Sequence, residues 1–168
     1  MSEDRSKPEA TPDKRRLGGS ALHLGGLVEG TEVLTARGLV KVEDIAAGMR
    51  LVTRERGLQR VAFATQRLLP HGEVVRITPE ALGASSEGSP IFVAPSQRVL
   101  LKDWRAKAMF GRARALVSVR KLIDGELIKR LDMRNARLFS LHFEASLILY
   151  AGEIELGSAD PIAGFLKH

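Results

Sequence analysis

The feature that most constrains the fold of this chain is the absence of a sustained helical pattern among its apolar residues. No stretch of about ten residues repeats apolar side chains at helical spacing. Apolar residues come instead in short runs, such as 32–35, 49–53 and 98–101, and turn-forming residues separate them. Many short strands at close spacing are typical of an all-β domain. A chain of 168 residues can bury a core in one domain of this kind.

Turn signals divide the predicted strands into hairpins. Residues 32–41 predict a hairpin with a turn at Gly38, and residues 42–45 predict a single helical turn. Pro70, His71 and Gly72 predict a further hairpin turn, which would join strands 60–69 and 73–78. Later strands are predicted at 91–94, 98–101, 115–117, 127–131, 136–144 and 147–151, and residues 104–114 fit a helix or a strand.

The chain is predicted to have three parts. Residues 1–19 are polar, mixed in charge and contain two prolines, a composition that predicts disorder. Glycines at 18, 19, 25 and 26 predict a flexible lead-in to the domain. We therefore expect a disordered N-terminal tail at 1–25, one domain at 26–157 and a C-terminal extension at 158–168.

Composition excludes several classes of site. The chain contains no cysteine, so disulfides, thiolate metal sites and thiol catalysis are excluded. Its four histidines lack the spacing of metal ligands, and we expect neither a metal nor a cofactor. No apolar run approaches the ~20 residues of a membrane span, and the N-terminus lacks the apolar region of a signal peptide. A cytoplasmic location is expected, with non-classical export left open.

Positive charge is concentrated in one segment. The net charge is +6, and residues 98–137 hold 12 basic and 4 acidic side chains. Such a basic segment can form a contact surface for phosphates or acidic partners. Aromatic residues for base stacking are few, so a solvated surface is the simpler interpretation. The candidate contact residues are Arg98, Lys102, Arg105, Lys107, Arg112, Arg114, Arg120 and Lys121.

Four sequence blocks occur in an order that resembles a known family. They are GTEVLT with VEDI and GMRLVT at 30–53, APSQRVLL at 94–101, LVSVRKLIDG at 116–125, and the strand pair at 141–151. Together they resemble the Hedgehog/intein-like (Hint) domain, in the bacterial subgroup common in alphaproteobacterial proteins, over about residues 26–157. The resemblance implies a compact, twisted, horseshoe-like fold with two pseudo-symmetric halves.

The resemblance also implies where self-processing chemistry would be located. In Hint domains a Cys, Ser or Thr attacks the preceding carbonyl, and a histidine assists at the amide. Those two positions correspond here to Gly26 and Gln97, and two later family histidines correspond to Ser140 and Ser146. A shifted alignment would place His142 at the first of these. Because neither glycine nor glutamine can perform the family's chemistry, we predict a degenerate domain that is not an enzyme.

Three functions follow from this interpretation. The first is a non-catalytic Hint-like domain that serves as a binding or structural module for a protein partner or a larger assembly. The second is residual self-cleavage through a hydroxyl nucleophile, for which Ser20 and Thr31 are the nearest candidates. The third is binding of nucleic acid or an anionic surface through the basic segment at 98–137.

Overall fold

The computed structural model describes residues 25–85 and 87–161. These residues form short strands, three 3-10 turns and one α-helix, which confirms the predicted all-β class. The predicted disorder of residues 1–19 lies outside the described residues. The strands are β1 (Leu27–Val28), β2 (Glu32–Thr35), β3 (Gly38–Lys41), β4 (Arg50–Thr53), β5 (Gly57–Arg60), β6 (Phe63–Ile77), β7 (Ile91–Val93), β8 (Arg98–Leu101), β9 (Ala115–Ser118), β10 (Ile128–His142), β11 (Ile148–Ala151) and β12 (Ile154–Gly157). The helix α1 is Trp104–Phe110, and the 3-10 turns are Val42–Asp44, Pro79–Leu82 and Val119–Leu122.

The strands form two antiparallel sheets. In the first, β1, β10, β6 and β7 close into a small barrel, because β1 pairs with both β10 and β7. The second has the order β3-β2-β4-β11-β12-β8-β9, with β5 paired to β4. The strand β9 pairs only with β8 among the described residues, and it forms one edge of this sheet.

The strands β6 and β10 form a continuous ribbon of 15 residues each. The predicted hairpin turn at residues 70–72 is therefore wrong, as is the break predicted between 131 and 136. His71 lies within β6 and faces Arg134 across the ribbon. Proline cannot donate a ladder hydrogen bond, and the ladder between β6 and β10 skips Pro70 and Asn135. Asn135 adopts a left-handed φ of 54° there. Strand pairing is interrupted at only one residue of each strand and continues on both sides of it.

Other local predictions are confirmed. Strands β2 and β3 pair as a hairpin from Glu32–Lys41 to Thr35–Gly38. The predicted turn at 42–45 is a 3-10 turn. The ambiguous segment at 104–114 begins as α1, because the Asp103 carboxylate accepts a hydrogen bond from the Arg105 N–H and caps the helix. Gly111 ends it with a φ of 70°.

The core is mainly aliphatic, as the low aromatic content predicts. Its largest fully buried side chains include Phe143, Leu51, Ile77, Leu101 and Ile128. A second, smaller cluster is formed by Val28, Val74, Ala94, Ala136 and Leu138. Leu27 belongs to the main core and Val28 to the smaller cluster, so β1 lies between the two. In the described part of the chain, no helix combines the length and apolarity needed to cross a membrane.

Candidate functional site

The two glycines that precede β1 lie at the centre of the candidate site. Leu27 pairs with Phe139 on β10 and with Val93 on β7. Continuing the β10 register by one residue places Ser140 opposite Gly26. The Gly26 carbonyl accepts a hydrogen bond from the Ala94 N–H at 2.9 Å. Backbone pairing to two strands therefore fixes the position of Gly26.

Gln97 is held directly against the Gly26 amide. Its side-chain oxygen Oε1 accepts a hydrogen bond from the Gly26 N–H at 2.9 Å. Its Nε2 donates to the Gly157 carbonyl at 2.8 Å and to the Arg98 carbonyl at 2.9 Å. Gln97 is only 4% exposed, and a buried amide with these partners is well satisfied. The structure thus places together two of the positions that the sequence singled out.

The peptide between Gly25 and Gly26 is held at both of its polar groups. The Gly25 carbonyl accepts a hydrogen bond from Arg67 Nη2 at 3.0 Å, and the Gly26 N–H is bound by Gln97. Gly25 has a φ of 61°, and a Cβ there would lie 2.4 Å from Gln97 Oε1. Glycine at position 25 is therefore required by both backbone conformation and close approach.

Gly26 offers no side-chain atom next to the Gly25 carbonyl. Its φ is 145°, and a Cβ at this position would lie 3.2 Å from Leu138 Cβ. Any larger residue at 26 needs an unfavourable backbone conformation and a small shift of Leu138. The surroundings of this peptide therefore bind it, and they contain no nucleophile on residue 26.

A small cavity lies beside Gln97. Ser140 and Ser158 contribute to its lining, and the accessible volume is about 10 Å³, which is room for about one water molecule. Both serines are buried. Ser158 Oγ accepts a hydrogen bond from the Leu147 N–H at 2.9 Å. The rest of the lining is mainly apolar, and the cavity is too small for a substrate.

Ser146 is not part of this group of residues. It is exposed and precedes β11, outside the cavity that Ser140 shares with Gln97. Of the four positions that the sequence singled out, the structure brings together Gly26, Gln97 and Ser140 and leaves Ser146 at the surface.

His142 is buried two residues beyond Ser140 on β10. Its ring stacks on Phe63 with centroids 4.4 Å apart. Nδ1 lies 3.3 Å from the Asp160 carbonyl, and Nε2 lies 3.2 Å from Thr65 Oγ1. A proton on Nδ1 satisfies the carbonyl and leaves Nε2 to accept from Thr65. Burial lowers the pKa of His142 below its ordinary value of 6.5, against the weaker opposing effect of the Asp160 carbonyl and charge. Both ring nitrogens thus bind groups other than Gly26 and Gln97.

Of the two candidate hydroxyl nucleophiles, Thr31 is the one that lies within the described residues. Ser20 lies outside the described residues. Thr31 is buried, and its Oγ1 donates to the Val28 carbonyl at 2.7 Å. The Thr31 carbonyl accepts from the Val42 N–H. The first bond closes the turn after β1, a structural role that threonine commonly has. The second joins that turn to the 3-10 turn at Val42–Asp44.

The candidate basic residues divide into two groups. Three form ion pairs: Arg98 with Asp160, Lys102 with Glu155, and Arg105 with Asp103. Among the described residues, no ion pair is found for the remaining five, which are all exposed: Lys107, Arg112, Arg114, Arg120 and Lys121. The basic segment is therefore not one uniform surface.

Glu155 accounts for one of these pairs. It is 5% exposed and also bonds Arg54. Burial raises its pKa, but the hydrogen bonds from Lys102 and Arg54 outweigh burial, and the net effect is a lowered pKa. The Lys102 charge is thereby committed to holding β12 rather than to a partner.

The sequence interpretation missed three groups at the site. Arg67 and Ser158 belong to segments with no recognisable motif, and only strand pairing brings them near Gly26. Gly25 carried a signal, because a glycine pair immediately before a buried strand is typical of a close backbone approach. The glycine-rich composition of the segment before β1 predicts Gly25 as part of the flexible lead-in instead.

Comparison with known families decides the identity of the fold. A family model described as a Hint domain matches residues 26–162. The chain belongs to the Hint domain family. The matched range contains Gly26 and Gln97 and extends past Ser158 and Asp160. A comparison with curated proteins finds no match.

Solved structures share the fold of this Hint domain. An intein-like domain from Clostridium thermocellum has 18% identity and a TM-score of 0.54, over 78% of this chain and 96% of that one. The gp41-1 intein has 15% identity and a TM-score of 0.55, over 79% of this chain and 97% of that one. This Hint domain therefore spans nearly the full length of both relatives.

Proposed function

We propose that this Hint domain is a non-catalytic binding or structural module in which self-processing has been lost. The observation that carries the proposal is the pairing of Gly26 with Gln97. The peptide at the start of the domain is bound by Gln97 and Arg67, yet neither the residue after the peptide nor its amide partner has the chemistry that cleavage needs.

The acyl shift of the family requires two groups. A side-chain oxygen or sulfur on the residue after the peptide must attack the preceding carbonyl, and an acid must protonate the departing amide nitrogen. Gly26 supplies no attacking atom. Gln97 accepts a hydrogen bond from the amide and has no proton to transfer near neutral pH. Arg67 can polarise the Gly25 carbonyl, but polarisation without a nucleophile gives no reaction.

The competing function is self-cleavage through a hydroxyl. Thr31 lies in the turn after β1, where its hydroxyl donates a hydrogen bond to the Val28 carbonyl. Ser140 lies opposite Gly26, but no base bonds it among the described residues. Neither arrangement provides a nucleophile activated by a neighbouring base.

A fusion assay separates these functions. A stable, folded protein is joined to the N-terminus of the full chain, and the fusion is incubated with and without dithiothreitol or hydroxylamine. We expect the fusion to remain intact by mass spectrometry, while a self-cleaving intein in the same fusion format is cut. Cleavage next to residue 20, 26 or 31 would overturn the loss of self-processing.

The binding role needs a separate test. The tagged chain is crosslinked in its native cells and purified, and the recovered proteins are quantified against the tag alone. We expect a partner recovered in near-stoichiometric amount. Recovery of the chain only as a free monomer would contradict the binding role, without affecting the conclusion about cleavage.

A further inference from the structure

Exposed apolar side chains are concentrated around α1. Of seven large apolar residues that are exposed in the described part of the chain, four lie between positions 104 and 116. Trp104 is 74% exposed, and the others are Met109, Phe110 and Leu116. We call residues 104–116 the α1 ridge. A local concentration of this kind marks an interaction surface, whereas single exposed apolar residues do not.

The ridge is fixed in place although little of it is buried. Ala106 is the one residue of α1 that is buried. Arg105 Nη2 donates to the Ala81 carbonyl at 2.6 Å and bonds the Asp103 carboxylate, which caps the helix. The apolar side chains are therefore presented to solvent by an element whose position is fixed.

The ridge is also cationic. Lys107, Arg112 and Arg114 are exposed, and within the described ranges none of them forms an ion pair. Asp103 flanks the ridge, and its carboxylate is already engaged by Arg105. Unpaired cations beside exposed tryptophan and phenylalanine are complementary to a surface that is both negative and apolar.

We propose that the α1 ridge binds the surface of an anionic lipid membrane. Trp104, Met109 and Phe110 enter the headgroup layer, and the three cations bind lipid phosphates. Amphipathic elements with aromatic and apolar residues beside lysine and arginine lie in that layer, where tryptophan is favoured. The binding is peripheral and does not depend on the function proposed above.

The ridge fits a lipid surface better than it fits nucleic acid or a folded protein. Single-stranded nucleic acid is bound by stacking on aromatic rings, and Met109 and Leu116 contribute nothing to stacking. A folded partner would need a surface that matches the shape of the ridge, whereas a lipid layer deforms around it. The strand β9, which carries Leu116, is four residues long and offers few backbone groups for an added strand.

Trp104 is the only tryptophan of the chain, so fluorescence reports directly on the ridge. The full chain is titrated with phosphatidylcholine vesicles that contain phosphatidylserine, and with vesicles of phosphatidylcholine alone. We expect the emission to shift to shorter wavelength with the anionic vesicles, and the affinity to fall as salt is added. The absence of a shift with anionic vesicles, or an equal shift with both, would overturn the proposal.

Two pairs of variants locate the binding surface. Arg112→Ala with Arg114→Ala is expected to weaken vesicle binding about 30-fold, because each cation near an anionic membrane contributes about five-fold. Its control is Arg120→Ala with Lys121→Ala, in the 3-10 turn that follows β9 in the same basic segment. Met109→Ser with Phe110→Ser is expected to weaken binding at least about ten-fold. Its control is Leu58→Ser with Leu68→Ser, which removes exposed apolar residues elsewhere.

The controls and a second ligand decide the outcome. All eight substitutions are at exposed positions, and thermal unfolding confirms that each variant is folded. Equal losses in the ridge variants and in their controls would overturn the assignment to α1. A shift with single-stranded DNA but not with anionic vesicles would overturn it in favour of nucleic acid.

Discussion

The backbone N–H of Gly26 donates a hydrogen bond to the side-chain oxygen of Gln97 across 2.9 Å. This bond joins the residue before β1 to the residue before β8, 71 positions along the chain. Because the same glutamine also binds the Gly157 carbonyl, one side chain connects β1, β8 and β12. Gln97 therefore has a clear structural function in holding these strands together.

Replacing Gln97 with methionine is expected to destabilise the fold. The substitution keeps the volume but leaves the Gly26 N–H and the Gly157 carbonyl buried without their partner. Each such group costs about 1–3 kcal/mol, and we expect the free energy of unfolding in urea to fall by about 3 kcal/mol. Gln66→Met, at an exposed position on β6, is the matched control. A loss for Gln97→Met that equals the loss for the control would contradict this account.

Gly25→Ala should cost more than a glycine substitution at the same backbone angle elsewhere. Gly25 has a φ of 61° and Gly111 a φ of 70°, but only at Gly25 does an added Cβ meet another atom, Gln97 Oε1 at 2.4 Å. Left-handed backbone costs alanine about 1–2 kcal/mol at either position. At position 25 the added Cβ also displaces the Gln97 side chain. The loss of the Gln97 hydrogen bonds therefore adds to the cost of Gly25→Ala.

Two measurements separate strain from displacement. Urea unfolding compares the stabilities of Gly25→Ala and Gly111→Ala. Hydrogen exchange of the Gly26 amide should accelerate only in Gly25→Ala, because that variant displaces the acceptor. Unchanged protection of the Gly26 amide in Gly25→Ala would show that Gln97 remains bound.

Supplying a thiol at position 26 is expected not to restore cleavage. In a fusion that carries Gly26→Cys, the new side chain has an attacking atom, but Gln97 still accepts from the amide and cannot protonate the leaving nitrogen. The φ of 145° and the 3.2 Å approach to Leu138 Cβ further oppose a reactive geometry. We expect the fusion to stay intact in dithiothreitol.

Gly26→Ala is the control for that experiment, because it introduces the same Cβ without the thiol. Both fusions are followed by mass spectrometry over the same period. Thiol-dependent cleavage between residues 25 and 26 in Gly26→Cys alone would show that Gln97 and Arg67 suffice as the remaining machinery.

His142 should make stability depend on pH. Burial lowers its pKa in the folded state below 6.5, so the unfolded chain binds the proton more tightly. Its contribution to stability is therefore complete above pH 6.5 and is lost as the pH falls below that value. We expect the free energy of unfolding to decrease on acidification through this range and the His142→Gln variant to lack that component. His71→Gln, at an exposed strand position, should retain it.

Local patterns in the sequence were sufficient for some elements of this fold. The alternation and turn signals at 32–41 predicted β2 and β3 because a hairpin depends on neighbouring residues. The predicted turn at 42–45 is also local. The break predicted at residues 70–72 is wrong. Pro70 and Gly72 favour a turn when only neighbouring residues are considered. Pairing with β10 over 15 residues overrides that preference.

The sequence by itself determined the all-β class of this protein and the presence of a glycine at position 26 and a glutamine at position 97. Residue identity is a local property, and the absence of cysteine needs no structure. Only the tertiary structure decided that Gln97 binds the Gly26 amide, that Arg67 binds the Gly25 carbonyl, and that Ser146 lies outside the site. It also divided the candidate basic residues into three that form ion pairs and five that are exposed and form none among the described residues. These contacts join positions far apart in the chain, and strand pairing sets their distances.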